Sequence, residues 1–165
     1  MGPGSRLALA GLAAACALVA SGAASGSQAR SGMVVVPGKS MAGVKLGDNI
    51  TTVRRVLGKQ FFPAPGGPGY RELMFRVPDL IVRYRSNKVI ALISSAEDLR
   101  TPEGLAVGQP LGRIRSVYGT LPTVRCGVAV LHVLRGTSAT TYIGTWNGRV
   151  AGIDIALTSE KPCSL

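Results

Sequence analysis

Histidine, tryptophan and acidic side chains are scarce in this sequence. His132 and Trp146 are the only residues of their types among 165, beside three cysteines and eight Asp+Glu. One histidine leaves serine-hydrolase chemistry a single base candidate, and no G-x-S-x-G elbow accompanies it. His132 itself lies in the apolar run from Ala129 to Leu134, where a packed or edge side chain is expected. Glu97, Asp98 and Glu103 crowd one polar stretch, and nothing marks the poised carboxyl pair that glycoside hydrolysis needs. No C-x-x-C or H-x-x-x-H spacing occurs, so Cys126, Cys163 and His132 would make a zinc set of only three ligands. Val34 to Ser40 (VVVPGKS) ends like a phosphate-binding loop, but Met33 stands where the first glycine belongs. No catalytic residue, metal or cofactor is therefore expected.

Cations are plentiful. Nineteen Lys+Arg against eight Asp+Glu give a net charge of +11, and arginine supplies most of it. Such a surface is drawn to polyanions of any kind. The apolar fraction of 46% is enough to bury a core.

Residues 1–29 narrow the choice. MGPGSR is a short cationic start, Leu7 to Ala20 is an unbroken apolar run of 14, and small polar residues follow. That is the layout of a secretory signal peptide, with cleavage after Ala23 or Ala29. The run is shorter than the ~20 residues a spanning helix needs, so no transmembrane segment is expected in the mature chain. Cys16 could be the acylated residue of a lipoprotein, but it lacks the usual Leu three places earlier and the apolar stretch continues past it. A secreted or extracytoplasmic location is expected. Export places Cys126 and Cys163, with 36 residues between them, in an oxidising compartment, where a disulfide is the expected reading. Nucleic acid suits the charge but not export, and no recognition helix or aromatic platform motif is present.

A slide of 61 residues superimposes Gly43, Gly47 and Gly58 on Gly104, Gly108 and Gly119. Val44, Leu46, Ile50, Val53 and Val56 then meet Leu105, Val107, Leu111, Ile114 and Val117, and Arg54 meets Arg115. Self-similarity of this kind signals a duplicated supersecondary unit. Within each copy, apolar spacings of three and four predict a short helix with a stripe against a core: Ile50, Val53, Val56 and Leu57, then Leu111, Ile114, Val117 and Tyr118. Asp48 or Asn49 can cap the first helix, and Pro110 suits the first turn of the second. Period-two runs predict antiparallel strands at 70–77, 80–85, 89–94, 128–134, 140–146 and 150–157, with Asn147-Gly148 as a hairpin turn. The fold expected is α+β: two tandem units, each a short helical segment packed on an antiparallel sheet. A lead-in at 30–42, unit one at 43–97, a linker at 98–103 and unit two at 104–165 complete the division.

The pattern G-x-x-[LV]-G-x-x-[IL]-x-x-[VI]-R-x-V-[LY]-G, followed by antiparallel strands, resembles the helix-plus-sheet unit of BamE-type outer-membrane-assembly lipoproteins. It also resembles the tandem units of the secreted beta-lactamase inhibitory protein, and exported actinobacterial proteins of unknown function with a C-terminal Cys pair. The likeness covers roughly residues 43–163 and implies a module that binds proteins or scaffolds assemblies without catalysis.

Arg83 and Arg85 share a strand face around Tyr84, while Trp146 and Arg149 flank the Asn147-Gly148 turn. Arginine and tryptophan are favoured interface anchors, so these four are the candidate binding surface. The function expected is a noncatalytic exported module that binds a protein through a basic sheet face, as a monomer. A cell-envelope or matrix component that binds anionic polymers is the alternative, and a weak hydrolase is the third reading.

Overall fold

In the computed structural model, which describes residues 33–164, the period-two runs form strands and the two glycine-flanked motifs form helices. The chain begins with a small antiparallel sheet of β1 (Val35–Val36), β2 (Ser40–Met41) and β3 (Val44–Lys45). Helix α1 (Ile50–Leu57) leads into the meander β4 (Phe62–Ala64), β5 (Arg71–Phe75), β6 (Leu80–Arg85) and β7 (Lys88–Ser94). Helix α2 (Gly112–Tyr118) leads into a second meander, β8 (Thr123–Cys126), β9 (Ala129–Arg135), β10 (Ala139–Trp146) and β11 (Arg149–Leu157). A 3-10 turn, Pro162–Ser164, follows. Both meanders join in one antiparallel eight-stranded sheet, ordered β4-β5-β6-β7-β11-β10-β9-β8. The class is α+β and mostly β. The expected signal peptide at 1–29, its cleavage near Ala23 or Ala29, and the acylation alternative at Cys16 lie outside the described residues.

Both helices lie on one face of this sheet. Ile50 and Val53 from α1 and Ile114 from α2 are buried with Leu73, Phe75, Leu80, Val82, Leu92, Ile143, Ile153 and Ile155 in a single cluster. The Asn49 side chain accepts from the Thr52 N–H at 2.8 Å and so caps α1, while Asp48 instead accepts from the Lys45 N–H, also at 2.8 Å. Helix α2 has no side-chain cap and starts as a tight turn, with the Arg113 N–H on the Pro110 carbonyl at 2.9 Å. The predicted stripes are wider than the buried ones. Val56 and Leu111 are exposed, because helices of two turns present only a position or two squarely to the sheet.

Two glycines matched in the sequence make corresponding turns. Gly47 (φ +84°) and Gly108 (φ +83°) adopt a left-handed backbone that favours glycine. This turn directs the Gly47 N–H onto the Val89 carbonyl at 2.8 Å, and Val89 N–H returns to Asp48 at 2.9 Å. Gly108 and Val150 repeat the exchange at 2.8 Å, with the Val150 N–H on Gln109 at 2.9 Å. Each glycine thus ties the entry of a helix to the start of the last strand of its meander.

The stretches read as lead-in and linker are packed into the same core. Met33, Val35 and Met41 are buried, as are Leu99 and Thr101. Residue Val35 donates to the Arg100 carbonyl and Arg100 to the Met33 carbonyl, both at 2.9 Å, so 33–36 pairs with the stretch near 100. The Tyr118 hydroxyl lies 2.9 Å from Thr101 Oγ1 and 2.8 Å from Glu103 Oε2, which fastens α2 to that stretch as well. Burial pushes this phenol up to about 12.

Cys126 and Cys163 form the expected disulfide, with Cα atoms 5.3 Å apart. Cys126 ends the edge strand β8, so the bond ties the segment after β11 to that edge.

Candidate functional site

Arg83, expected on the candidate binding surface, is buried. Its Nε and Nη2 reach Glu72 Oε1 at 2.8 and 2.7 Å, its Nη1 donates to the Ser164 carbonyl, and its guanidinium lies 4.1 Å from the centre of the Tyr70 ring. All three nitrogens and one face of the group are used within the fold. Arg85 is exposed but pairs with Glu160 at 3.2 Å and donates to the Gly69 carbonyl at 3.0 Å. Trp146 is 59% exposed, and Arg149 donates to the Gly108 carbonyl at 2.9 Å.

These four do not form one surface. Strands β7 and β11 run antiparallel with Ile93 opposite Asp154, so Lys88, beside Arg85, projects ten positions beyond Arg149 along the seam. At ~3.3 Å per strand residue, the turns carrying Arg85 and Trp146 lie roughly 30 Å apart, at opposite ends of the sheet.

Positive charge converges elsewhere. On α1, burial of Ile50 and Val53 turns Arg54 and Arg55 to solvent. Lys59 follows the helix, and Phe61 packs against Phe75 with ring centres 5.7 Å apart. The Arg54 guanidinium lies over the Phe61 ring at 4.7 Å, a stacked contact that holds it in place. Three clefts run together here. The first is lined by Thr51, Arg54, Arg55, Lys59 and Phe61. The second shares Arg54 and Phe61 and adds Pro63, Ala64, Tyr70, Arg71, Tyr84 and also Glu72, whose carboxylate is paired with Arg83. The third shares Tyr70, Arg71 and Tyr84 and ends at Arg85. The result is a groove along the edge of the first meander. None of Arg54, Arg55, Lys59 and Arg71 is in an ion pair; among the described residues the pairs are Arg83–Glu72 and Arg85–Glu160. Sequence reasoning missed this groove because Arg71 stands 17 positions from Arg54, and only strand pairing brings them together. The one available signal was that Arg54 and Arg55 fall on the polar side of the predicted helix.

The titratable groups of catalytic interest are separated. Asp154 pairs in register with Tyr142 and His132 with Ile143, adjacent positions on β10, so the two side chains occupy opposite faces of the sheet. Burial is the main force that pushes the Asp154 carboxyl up to about 7, against a hydrogen bond from the Ser94 backbone and the field of Arg83. Burial also holds His132 below its usual value, and its Nε2 lies 3.5 Å from Thr145 Oγ1. Among the described residues no three His, Cys, Asp or Glu side chains gather as a metal site. No helix among them is long and apolar enough to cross a membrane.

No family model matches the sequence, and no curated protein matches it. The fold is similar to that of solved proteins, two of which are described as secretory or extracellular. A cysteine-rich secretory protein from Staphylococcus aureus aligns with a TM-score of 0.53 at 12% identity, over 68% of this chain and 44% of that one. An extracellular protein containing an SCP domain from Bacillus anthracis aligns at 0.55 and 8% identity, again over 68% and 44%. A DUF4309 family protein from Bacillus subtilis aligns at 0.53 and 9% identity, over 73% of this chain and 88% of that one. This chain therefore spans less than half the length of the first two. At such identities the likeness is one of fold, and none of the three is named as a BamE-type or inhibitory protein.

Proposed function

We propose that this chain is a noncatalytic extracytoplasmic binding module, made of two copies of one helix-plus-sheet unit, that engages an anionic partner through the groove at Arg54, Arg55, Lys59 and Arg71. The observation that carries the binding claim is the set of four cations without ion-pair partners around a stacked Arg54–Phe61 pair. Uncompensated cations along a cleft focus positive potential and draw oxyanions. The groove takes over the role expected of a basic sheet face, since Arg83 is internal and Trp146 is distant.

Two copies of one unit are supported by matched backbone contacts. Gly47–Val89 and Gly108–Val150 are equivalent pairs 61 residues apart, as are the bridges Asn49–Lys88 and Pro110–Arg149. The sheet order is palindromic about the β7–β11 seam, and at its middle Ile93 faces Asp154, the residue 61 positions on. An extracytoplasmic location is supported by the disulfide. A noncatalytic role is supported by the opposite facing of His132 and Asp154.

A generic polyanion tests the groove. Titration of the isotopically labelled protein with a heparin fragment should shift amide resonances around residues 51–61 and 69–73 first. Shifts spread evenly over both meanders would mean attraction by net charge alone, and the groove would lose its role.

A further inference from the structure

Resting on that reading, we propose that the groove is built for a linear polysaccharide that carries carboxylates, and not for an acidic peptide. Its length comes from the sharing of Arg54 and Phe61 between the first two clefts and of Tyr70, Arg71 and Tyr84 between the next two. Cations recur along it, three near α1 and then Arg71, which suits a chain with an anion on each repeating unit.

The groove passes the edge strand β4, where an extended peptide would ordinarily add by backbone pairing. That route is blocked. A proline in an edge strand turns its nitrogen outward, and Pro63 is the central residue of the three-residue β4, so the strand's central outward donor is missing, and Pro65 follows directly after the strand's end. Affinity has to come from side chains. Phe61, Pro63 and Ala64 give the groove apolar walls, which match the C–H faces of sugar rings and offer nothing to a bare polyphosphate. Arg54, placed over the Phe61 ring, offers a planar fork of the kind that grips a carboxylate with two parallel bonds.

The second half lacks these features on the same frame. Leu73 pairs with Val82, and His132 with Ile143, which is 61 positions after Val82; the counterpart of Arg71 is then Val130. Arg115 matches Arg54, but the packed residue of the following loop is Leu121 where the first half has Phe61. The fold therefore does not require the groove's cations or its stacked ring.

Calorimetric titration of the secreted chain with oligogalacturonate, poly-glutamate and polyphosphate, matched in charge, tests the inference. Oligogalacturonate should bind at least roughly tenfold more tightly than either competitor, and the charge-preserving Arg54→Lys/Arg71→Lys variant should lose about fivefold or more, because lysine cannot fork. Poly-glutamate or polyphosphate binding as tightly, or an unchanged Lys variant, would overturn the glycan assignment and leave the anion groove standing. No binding by any probe would overturn both.

Discussion

Gly108 has open space where a Cβ would stand, so its substitution isolates the cost of the backbone conformation. Gly108→Ala should destabilise the protein by about 1–2 kcal/mol, the penalty of a left-handed backbone for an L-residue, as read by denaturant melts. A shift much below that would mean the turn is soft and the motif's glycines are not structural. Asp154 gives a pH signature. Its carboxyl is held near 7 when folded against a usual 3.8, so between those values the native state keeps a proton that the unfolded chain has released. Stability from this group is therefore lost as pH rises through that window. Asp154→Asn should flatten the fall and melt higher than the parent at neutral pH; an unchanged pH profile would contradict the burial. Residues of this kind also mark where sequence reading stops. Arg83 and Arg85 alternate correctly along β6, yet only the β5–β6 register reveals that Glu72 lies opposite Arg83 and takes it out of solvent.

Among the elements, strands with clean alternation were readable almost to the residue, since the period of two survives burial of one face. Leu80–Arg85 is as predicted, and Thr140–Trp146 and Val150–Leu157 each gain one residue at the start. Edge strands β4 and β8 were not readable. Their three or four residues carry no period, and Pro63 in β4 argues against a strand until a partner is known. Helix α1 depends on one cap, so Asn49→Ala should cost about 1 kcal/mol. The same measurement on Asp48→Ala, which holds the preceding turn, gives the comparison. The disulfide encloses residues 126–163 and adds roughly 3–4 kcal/mol by restricting the unfolded chain. Hydrogen exchange under reducing conditions should show opening at β8 and β9 before β5 and β6, and uniform opening would contradict that placement.

Across the whole molecule, the glycine and apolar positions matched 61 residues apart and the excess of arginine were visible in the sequence, but the place where charge gathers was not. Charge has no period. Arg54, Arg55, Lys59 and Arg71 become one feature only when α1 is laid beside β4 and β5, and the second half, built on matching contacts, carries no such set. This asymmetry allows a direct comparison at constant net charge. The decisive measurement is the affinity for a heparin fragment of two variants that each lose two arginines: Arg54→Gln/Arg71→Gln in the groove, and Arg115→Gln/Arg135→Gln, both exposed, in the other half. The groove variant should bind roughly tenfold more weakly or worse, and the control should lose no more than about twofold, the share expected from net charge alone. Equal losses in the two variants would contradict the groove as the binding site.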